Sequence, residues 1–364
     1  MSIKVLIVDD SALMRALLTE IIGGAPDIEV VGTAPDPLVA REMIKSLNPD
    51  VLTLDVEMPK MDGLEFLSRL MKLRPMPVVM ISSHTARGSE VTLQALETGA
   101  FDFVTKPQAD NASLLHAYAE EVRDKIRAAH HARGRLASGR PAARAERMAA
   151  RAERMAAGTS TMAPAFSQRL LNSHVVAIGA STGGTEAIRE VLARLPAEIP
   201  PVVMVQHMPE SFTLSFAKRL DSLCALTVVE AQGGEKLRPG VAYLAPGHSH
   251  MILKKVAGGY VTELDQGELV NRHRPAVDVL FRSVAAQVGG NATGIILTGM
   301  GKDGAFGLLD MRQAGAWTIG QDEASSVVYG MPREAANVGA VAEVVSLEGI
   351  AGRLLAHLQR LDRN

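Results

Sequence analysis

A serine lies in a turn of small residues, in the segment HVVAIGASTGGTEAI at positions 174–188. Ser181 is the central residue of GASTG (179–183), which fits the G-x-S-x-G pattern. In that pattern a strand delivers the serine to a sharp turn, and the helix that follows offers free N–H groups to a developing oxyanion. The sequence therefore makes Ser181 a candidate nucleophile.

Two other interpretations fit the same turn. A glycine-rich turn between a strand and a helix also binds anions, although this one lacks the lysine of a Walker motif and the spacing of a dinucleotide fingerprint. Ser181 or Thr182 could also serve only as the N-cap of the following helix. The G-x-S-x-G pattern alone does not separate these alternatives, because it arises by chance in many chains.

A nucleophilic serine needs a general base and a group that orients the base. His207 ends an apolar strand in VVMVQHMPESF (202–212), so we expect it at the same sheet edge as Ser181. Asp303 lies in ILTGMGKDGAFGL (296–308), where another apolar strand ends in glycines. Either residue could instead be structural, with Asp303 as a helix cap. The order Ser181, His207, Asp303 also differs from that of α/β-hydrolases, in which the acid precedes the histidine.

Polar residues also follow the strands in the first third of the chain. They are Asp9 and Asp10, Asp55, Ser82 with Ser83, and Lys106. Three carboxylates at neighbouring strand ends repel one another, which is tolerated when a hard divalent cation binds among them, and oxygen ligands favour Mg²⁺. The hydroxyl and the lysine could hold the oxygens of a phosphoryl group. Taken singly, an aspartate here could be a turn or N-cap residue, as Asp10 could be before SALMRALL.

Short apolar strands that alternate with helical patterns must position these residues. The predicted strands are 4–10, 28–34, 51–56, 77–82 and 102–107, and then 175–181, 201–207, 226–231, 240–246, 293–300 and 316–320. Continuous apolar strands with intervening helices indicate parallel sheets that are covered on both faces. The sequence predicts an α/β protein with two doubly wound parallel-sheet domains. The second also has an antiparallel hairpin from Tyr243 to Leu264, with AGGY (257–260) as its turn.

The composition changes between the two predicted domains, which we place at 1–127 and 173–364. Residues 128–172 are rich in Arg and Ala, and RAERMAA occurs at 144–150 and again at 151–157. A period of seven suits a helix, but Met and Ala offer little apolar surface for a coiled coil. We interpret this segment as a solvated, partly helical linker; a short oligomerisation helix is the alternative.

Length and composition exclude several classes of protein. The 364 residues suffice for two domains, and 47% apolar with 21% charged residues is typical of a globular chain. A net charge of -2 argues against a dominant nucleic-acid or membrane-surface field. The single cysteine, Cys224, excludes a disulfide framework and a multi-cysteine metal site. The N-terminus lacks a signal-peptide pattern and no apolar run approaches a bilayer span, so we expect a cytoplasmic protein.

Motifs of the N-terminal part resemble those of response-regulator receiver domains. The matching segments are VDDS, LDVEMPKMDGLEF and DFVTKP. The resemblance implies a flavodoxin-like fold in which Asp55 is the phospho-acceptor and Asp9 and Asp10 bind Mg²⁺ together with Asp55. It also implies that Lys106 is the charge partner and Ser82 the switch hydroxyl, with Ser83 as the adjacent alternative.

Motifs of the C-terminal part resemble the catalytic domain of the CheB family of chemotaxis protein-glutamate methylesterases. The matching segments are IGASTGG, QHMP, YLAPG, NRHRPAVDVLFRSVA, LTGMGKDGA and SSVVYGMPREA. The resemblance implies a Rossmann-like fold with Ser181 as nucleophile, His207 as general base and Asp303 as the carboxylate that orients it. It places oxyanion or triad-supporting groups at Thr182 and Met300. The cations of NRHRP, Arg272 to Arg274, could line the substrate approach or could be structural.

The same resemblance implies a function. The protein would be a carboxylic ester hydrolase that removes methyl groups from methylglutamates of methyl-accepting chemotaxis receptors, and it would also deamidate receptor glutamines. The receiver domain would block the active site until the chemotaxis histidine kinase CheA phosphorylates it. The esterase would need no cofactor, and we expect a monomer with no nucleic-acid partner and no membrane insertion. A receiver joined to a phosphate- or nucleotide-binding module is the rival interpretation, and it predicts that Ser181→Ala barely alters function.

Overall fold

The structure is a computed structural model that describes residues 2–58, 61–83, 85–107, 112–133 and 166–363. The chain divides into two compact units, residues 1–161 and 162–364, and each has its own parallel sheet. The predicted α/β class with two parallel-sheet domains is therefore confirmed. The repeated RAERMAA segment lies outside the described residues, and its interpretation as a linker stays a prediction.

Strands and helices alternate along the first unit. Its elements are β1 (Ile3–Val8), α1 (Ala12–Gly23), β2 (Ile28–Ala34), α2 (Pro37–Leu47), β3 (Val51–Asp55), α3 (Gly63–Leu73), β4 (Val78–Ser82), α4 (Ala86–Thr98), β5 (Asp102–Thr105) and α5 (Ala112–His131). The five strands are all parallel, in the order β2-β1-β3-β4-β5. This is the flavodoxin-like order, in which the carboxyl ends of β1 and β3 lie at the point where the strand order reverses.

Local sequence explains where the helices of the first unit begin. The side chains of Ser11, Asp36, Asp62 and Thr85 accept hydrogen bonds from the first turns of α1 to α4. The cap of α1 is therefore Ser11 and not Asp10, which leaves the Asp10 carboxylate outside the helix. Helix α5 continues to His131, so helical structure crosses the predicted boundary at residue 127.

The second unit carries a larger sheet and more helices. Its elements are α6 (Gln168–Ser173), β6 (Val175–Ala180), α7 (Gly184–Leu192), β7 (Val202–Gln206), α8 (Glu210–Asp221), β8 (Thr227–Glu230), β9 (Val241–Leu244), β10 (His250–Val256), β11 (Gly259–Asp265), α9 (Val277–Gln287), β12 (Ala292–Ile296), α10 (Ala305–Gln313), β13 (Trp317–Gln321), α11 (Met331–Asn337), β14 (Glu343–Val345) and α12 (Leu347–Arg363). The parallel sheet has the order β14-β13-β12-β6-β7-β9-β8, with β6 between β12 and β7. The strand order reverses at β6, so a functional site is expected beyond its carboxyl end.

The antiparallel hairpin is shorter than predicted. Tyr243 belongs to β9, which pairs with β7 and β8 inside the parallel sheet. The hairpin consists of β10 and β11 only, and it closes at Val256 and Gly259 as the AGGY segment indicated. The prediction was wrong at the start of the hairpin, because nothing in the local sequence shows that the PGHSH turn after β9 leads into a second sheet. Strand β14 was not predicted, since three residues carry too little periodicity.

Apolar side chains of the second unit pack between its sheet and its helices. The central strands β6, β7 and β12 are buried along their whole length. Helix α9 contributes Leu280, Phe281 and Val284 to the same core. None of the helices among the described residues combines the length and apolar character needed to cross a membrane.

Candidate active site

The turn after β6 places Ser181 at the carboxyl edge of the second sheet. The Ser181 N–H donates to the carbonyl of Thr298 (3.0 Å), and the Ser181 carbonyl accepts from the Gly184 N–H (2.7 Å). Helix α7 is capped by Gly183, which has a φ of 75° and makes no side-chain cap bond. The interpretation of Ser181 or Thr182 as the N-cap is therefore wrong, and the Ser181 side chain has no part in capping the helix.

His207 occupies the position next to Ser181 on the neighbouring strand. Ala180 of β6 pairs in register with Gln206 of β7, so the residue after each faces the other across the two strand ends. The His207 N–H donates to the Ala180 carbonyl (3.1 Å), and the Gln206 amide donates to the carbonyls of Ser181 (2.9 Å) and His207 (3.1 Å). Adjacent strands lie about 4.8 Å apart, so the two side chains start from neighbouring backbone positions.

Gln206 also explains one glycine of the turn. A Cβ atom at Gly184 would lie 2.1 Å from the Gln206 Oε1 atom and 2.6 Å from the Ala180 Cβ atom. A side chain at position 184 would therefore push the Gln206 amide out of its place between the two strand ends.

Asp303 holds the imidazole of His207. The His207 Nε2 atom lies 2.8 Å from Asp303 Oδ2, and the Asp303 side chain is buried. The same carboxylate accepts from the N–H groups of Val277 (2.6 Å) and Asp278 (3.2 Å) and from the Asn271 amide (2.7 Å). Burial raises the pKa of Asp303, but the hydrogen bond and charge of His207 and the other donors lower it further, to about 2. Asp303 is therefore a carboxylate at neutral pH.

The bond to Asp303 selects which imidazole nitrogen can act as a base. An ionised carboxylate only accepts, so Nε2 of a neutral His207 carries the proton and the lone pair is on Nδ1. Within the described residues, Nδ1 is buried and has no hydrogen-bond partner. The ring of His273 stacks on the His207 ring, with centroids 3.7 Å apart and planes 16° apart, which limits how far the imidazole can turn.

Asp303 does cap a helix, but this helix is not α10, which follows it in the sequence. The cap residue of α10 is Gly304, without a side-chain bond. Asp303 instead accepts from the first N–H groups of α9, a helix that begins 26 residues earlier in the chain. The N-terminal end of a helix dipole stabilises a negative charge, so the capping role and the ionised state of Asp303 support each other.

The two predicted supporting residues lie on backbone that packs around Ser181. Thr182 is buried, and its carbonyl accepts from the Thr298 hydroxyl (3.0 Å). Met300 follows Gly299, where a Cβ atom would lie 2.8 Å from the Ser181 Cβ atom. The chain therefore approaches Ser181 closely from the β12 side as well as from β7.

The NRHRP segment contributes contacts that the sequence did not reveal. Arg274 donates to the carbonyls of Gln266 (2.9 Å) and Gly267 (2.8 Å), so it holds a loop. His273 and Asn271 contact the histidine–aspartate pair directly. The sequence pattern predicted a role only for the cations of this segment, because the contacts of Asn271 and His273 join parts of the chain that are far apart in sequence.

The first unit gathers its acidic residues at the carboxyl edge of β1 and β3. One carboxylate oxygen from each of Asp9, Asp10 and Asp55 lies within 4.8 Å of the other two. The Lys106 ammonium lies 2.8 Å from Asp55 Oδ2 and 3.3 Å from Asp9 Oδ2. Burial, followed by the charge of Asp9, raises the pKa of Asp55 to about 6 despite the opposing effect of Lys106.

Ser82 ends β4 at the same edge of the first sheet. It is buried, and its hydroxyl accepts from the Thr92 hydroxyl of α4 (2.6 Å). Ser83 is half-buried and its hydroxyl lies 3.1 Å from that of Thr85. Ser82 therefore contacts the middle of α4, and Ser83 contacts the N-cap residue of the same helix.

The fold and the sites together define a class of protein. One α/β unit carries an acidic cluster and a lysine beyond a flavodoxin-like sheet, as receiver domains do. The other carries a serine next to a histidine–aspartate pair, as hydrolases of the serine type do. A receiver unit is thus joined to an α/β unit of hydrolase type in one chain.

Comparison with known proteins identifies the family. Residues 5–119 match the response regulator receiver domain, and residues 176–354 match the CheB methylesterase domain. The chain is 58% identical over 359 residues to a protein of Methylobacillus flagellatus named protein-glutamate methylesterase/protein-glutamine glutaminase, covering 98% of this chain and 97% of that one. A protein of the same name from Nitrosomonas europaea is 59% identical over 356 residues, covering 98% and 96%. The chain belongs to the CheB methylesterase family.

A solved structure agrees with the fold of the second unit. The crystal structure of the Thermotoga maritima CheB methylesterase catalytic domain is 39% identical, covers 50% of this chain and 98% of that one, and superposes with a TM-score of 0.50.

Proposed function

We propose that this protein is a phosphorylation-activated protein-glutamate methylesterase and protein-glutamine glutaminase, with Ser181, His207 and Asp303 as its catalytic triad. The observation that carries the proposal is the hydrogen bond from His207 to a buried, ionised Asp303, at the strand end that neighbours Ser181. The names of relatives at 58% and 59% identity supply the substrate class.

The triad divides the reaction into two acyl transfers. Ser181 Oγ attacks the ester carbonyl of a methylglutamate while His207 Nδ1 takes the hydroxyl proton. Asp303 keeps the other ring nitrogen protonated and stabilises the imidazolium that forms. The C–OCH₃ bond then breaks, His207 gives its proton to the leaving oxygen, and methanol departs.

Water completes the turnover. His207 removes a proton from water as the water attacks the acyl-enzyme, and the proton then returns to Ser181 Oγ as the ester bond to the serine breaks. The glutamic acid that is released gives its own proton to solvent and leaves as glutamate. The same steps hydrolyse a glutamine side chain, with ammonia as the leaving group.

Backbone around the turn supports the developing oxyanion. Thr182 starts the turn into α7 and Met300 follows the close approach of Gly299, so N–H groups of these two segments are the proposed donors. Removal of one such donor typically costs about 10²–10³ in kcat.

The first unit is proposed to control this activity through Asp55. Asp55 would attack the phosphorus of the phosphodonor as a carboxylate, while Lys106 neutralises charge beside it. The donor set fits a divalent cation, because three carboxylates at neighbouring strand ends offer oxygen ligands within 4.8 Å of one another. Asp9, Asp10 and Asp55 would hold Mg²⁺, and the chemistry that the ion supplies when bound is neutralisation of the phosphoryl oxygens.

Phosphorylation would then change the population of active enzyme. The phosphorylated receiver must favour the open state over the inhibited state, since a switch needs a difference in free energy between them. The proposed phosphodonor is the chemotaxis kinase CheA, the proposed substrates are methyl-accepting chemotaxis receptors, and the proposed compartment is the cytoplasm. Ser82 is the proposed switch hydroxyl.

Methanol release from methylated receptor tests the esterase. Ser181→Ala should abolish release, with or without a phosphodonor, whereas Ser222→Ala, an exposed serine at the end of α8, should behave as the wild type. If Ser181→Ala kept most of the activity, the turn would be an anion-binding loop and the triad would be refuted.

A further inference from the structure

The residues before α9 form a tight turn directly beside the histidine–aspartate pair. Val270 and His273 exchange both backbone hydrogen bonds, at 3.1 and 2.9 Å. The two residues between them, Asn271 and Arg272, have positive φ values of 53° and 69°. Positive φ at both central residues is the pattern of a type I′ turn, where asparagine is preferred because it tolerates the left-handed region. The backbone thus fixes where the Asn271 side chain starts.

The Asn271 amide links two buried carboxylates. Its Nδ2 atom donates to Asp303 Oδ1 at 2.7 Å and to Asp278 Oδ2 at 2.8 Å. An amide NH₂ group has two protons, so both are used in these bonds. Asp278 and Asp303 are each only 1% exposed, so both carboxylates lie away from bulk solvent.

The proposed reaction does not use Asp278, yet its charge lies next to that of Asp303. Burial raises the pKa of Asp278, and the charge of Asp303 raises it further. The Asp278 Oδ1 atom accepts from the Gly307 N–H of α10 (2.6 Å). The guanidinium of Arg282, whose side chain is about half exposed, lies 3.9 Å from Asp278 Oδ2. Two like charges in one buried site are unfavourable unless donors separate them.

We propose that Asn271 is a positioning residue: an uncharged bridge that lets the Asp278 and Asp303 carboxylates coexist and keeps Asp303 in place under His207. The inference rests on the proposed function, because it assigns a role within the same triad. The groups that face the two carboxylates are His207 from β7, Arg282 and the N-terminal N–H groups of α9, Gly307 of α10, and Asn271 from the turn.

Loss of the bridge should produce a deficit that depends on pH. Without Asn271, a protonated Asp278 can donate toward Asp303 in place of the amide. As the pH rises and Asp278 ionises, that donor disappears and the two carboxylates repel each other. The activity of the variant relative to the wild type should therefore fall with increasing pH.

Asn271→Gly is the appropriate variant, because glycine keeps the positive φ without strain and removes only the amide. We expect kcat in methanol release to fall about tenfold at the alkaline end of the profile, equivalent to a loss of about one pKa unit of interaction energy, with a smaller deficit at acidic pH. KM should change less than about twofold, because Asn271 acts through Asp303 and not on the substrate. Asn48→Gly, the same change at a positive-φ asparagine in the first unit, is the matched control.

The double variant Asn271→Gly/Asp278→Asn gives the sharpest test. An asparagine at position 278 is neutral at every pH and can donate to Asp303, so kcat should recover and the extra pH dependence should disappear. Equal kcat and equal pH profiles for the single and double variants would overturn the inference, and so would a deficit that is the same at all pH values.

Two further measurements separate the possible failures. If Asn271→Gly does not fold, Asn271→Asp keeps the side-chain shape and adds a third carboxylate; it should lose more activity than tenfold, and full activity would overturn the inference. Ser181→Ala is measured in parallel. Its full activity would refute the triad itself, whereas its collapse together with an unaffected Asn271→Gly would refute only the bridge.

Discussion

Replacement of the Asp303 carboxylate by an amide perturbs the hydrogen bonds through which Asp303 is held and orients His207. Asp303 Oδ2 faces the N–H donors of His207 and Val277, and Oδ1 faces those of Asn271 and Asp278. All four partners donate. In Asp303→Asn the new NH₂ group must therefore meet two donors, whichever way the amide is turned.

The expected loss follows from these contacts. A hydrogen bond to a charged group contributes about 1.5–3 kcal/mol, so two lost bonds correspond to about 3–6 kcal/mol. If that loss falls on the transition state, kcat decreases about 10²–10⁴-fold. An amide NH₂ directed at His207 also favours the tautomer with the proton on Nδ1, which occupies the nitrogen that should accept the serine proton.

Steady-state methanol release from methylated receptor measures this loss. We expect kcat to fall by at least about 10², with KM changed little because Asp303 does not touch the substrate. Asp265→Asn, at an exposed aspartate of the hairpin that caps its own turn, is the control. Retention of more than about a tenth of kcat by a folded Asp303→Asn would refute the reasoning.

Folding stability gives a second readout for the same variant. Burial alone would raise the pKa of Asp303, but the bonds from His207 and the other donors bring it to about 2, below the ordinary value of 3.8. The depressed pKa contributes about 2 kcal/mol that is present above the unfolded value and is lost as the pH falls through the folded value. The stability difference between wild type and Asp303→Asn should accordingly be largest near neutral pH and shrink below pH 4.

Two other predictions concern the receiver and the serine turn. Asp55→Asn should abolish stimulation by a phosphodonor, measured as the ratio of stimulated to basal methanol release, and any remaining stimulation would contradict Asp55 as the acceptor. Burial raises the pKa of Asp55 from 3.8 to about 6, so ionisation of Asp55 lowers the folding stability of the wild type as the pH rises through that window. In calorimetry the first unit of Asp55→Asn should therefore be more stable than that of the wild type by about 1–3 kcal/mol at pH 7, and equally stable at pH 4. Gly184→Ala should destabilise the second unit by about 1–3 kcal/mol, because its Cβ would meet Gln206 at 2.1 Å, and an unchanged melting temperature would show that the amide moves freely.

Local sequence patterns were sufficient to predict most strands and to place the site residues at the ends of those strands. Continuous apolar runs identified β1 to β7, and the parallel arrangement follows from the helices between them. Since parallel strands end at one edge, Ser181 and His207 could be placed together before any coordinates. The predicted start of the hairpin was wrong, because an apolar pattern identifies a strand but does not show to which sheet the strand belongs.

By itself, the sequence determined that a serine, a histidine and several aspartates lie at strand ends, and motif resemblance assigned them roles. Only the tertiary structure decided that Asp303 caps a helix from an earlier part of the chain, that its bond to Nε2 leaves the lone pair of a neutral His207 on Nδ1, and that Asn271 joins two buried acids. The physical reason is the distance along the chain over which each kind of interaction acts. Strand periodicity and turn chemistry act over a few residues, whereas hydrogen bonds between residues 32 and 96 positions apart form only when packing brings their segments together.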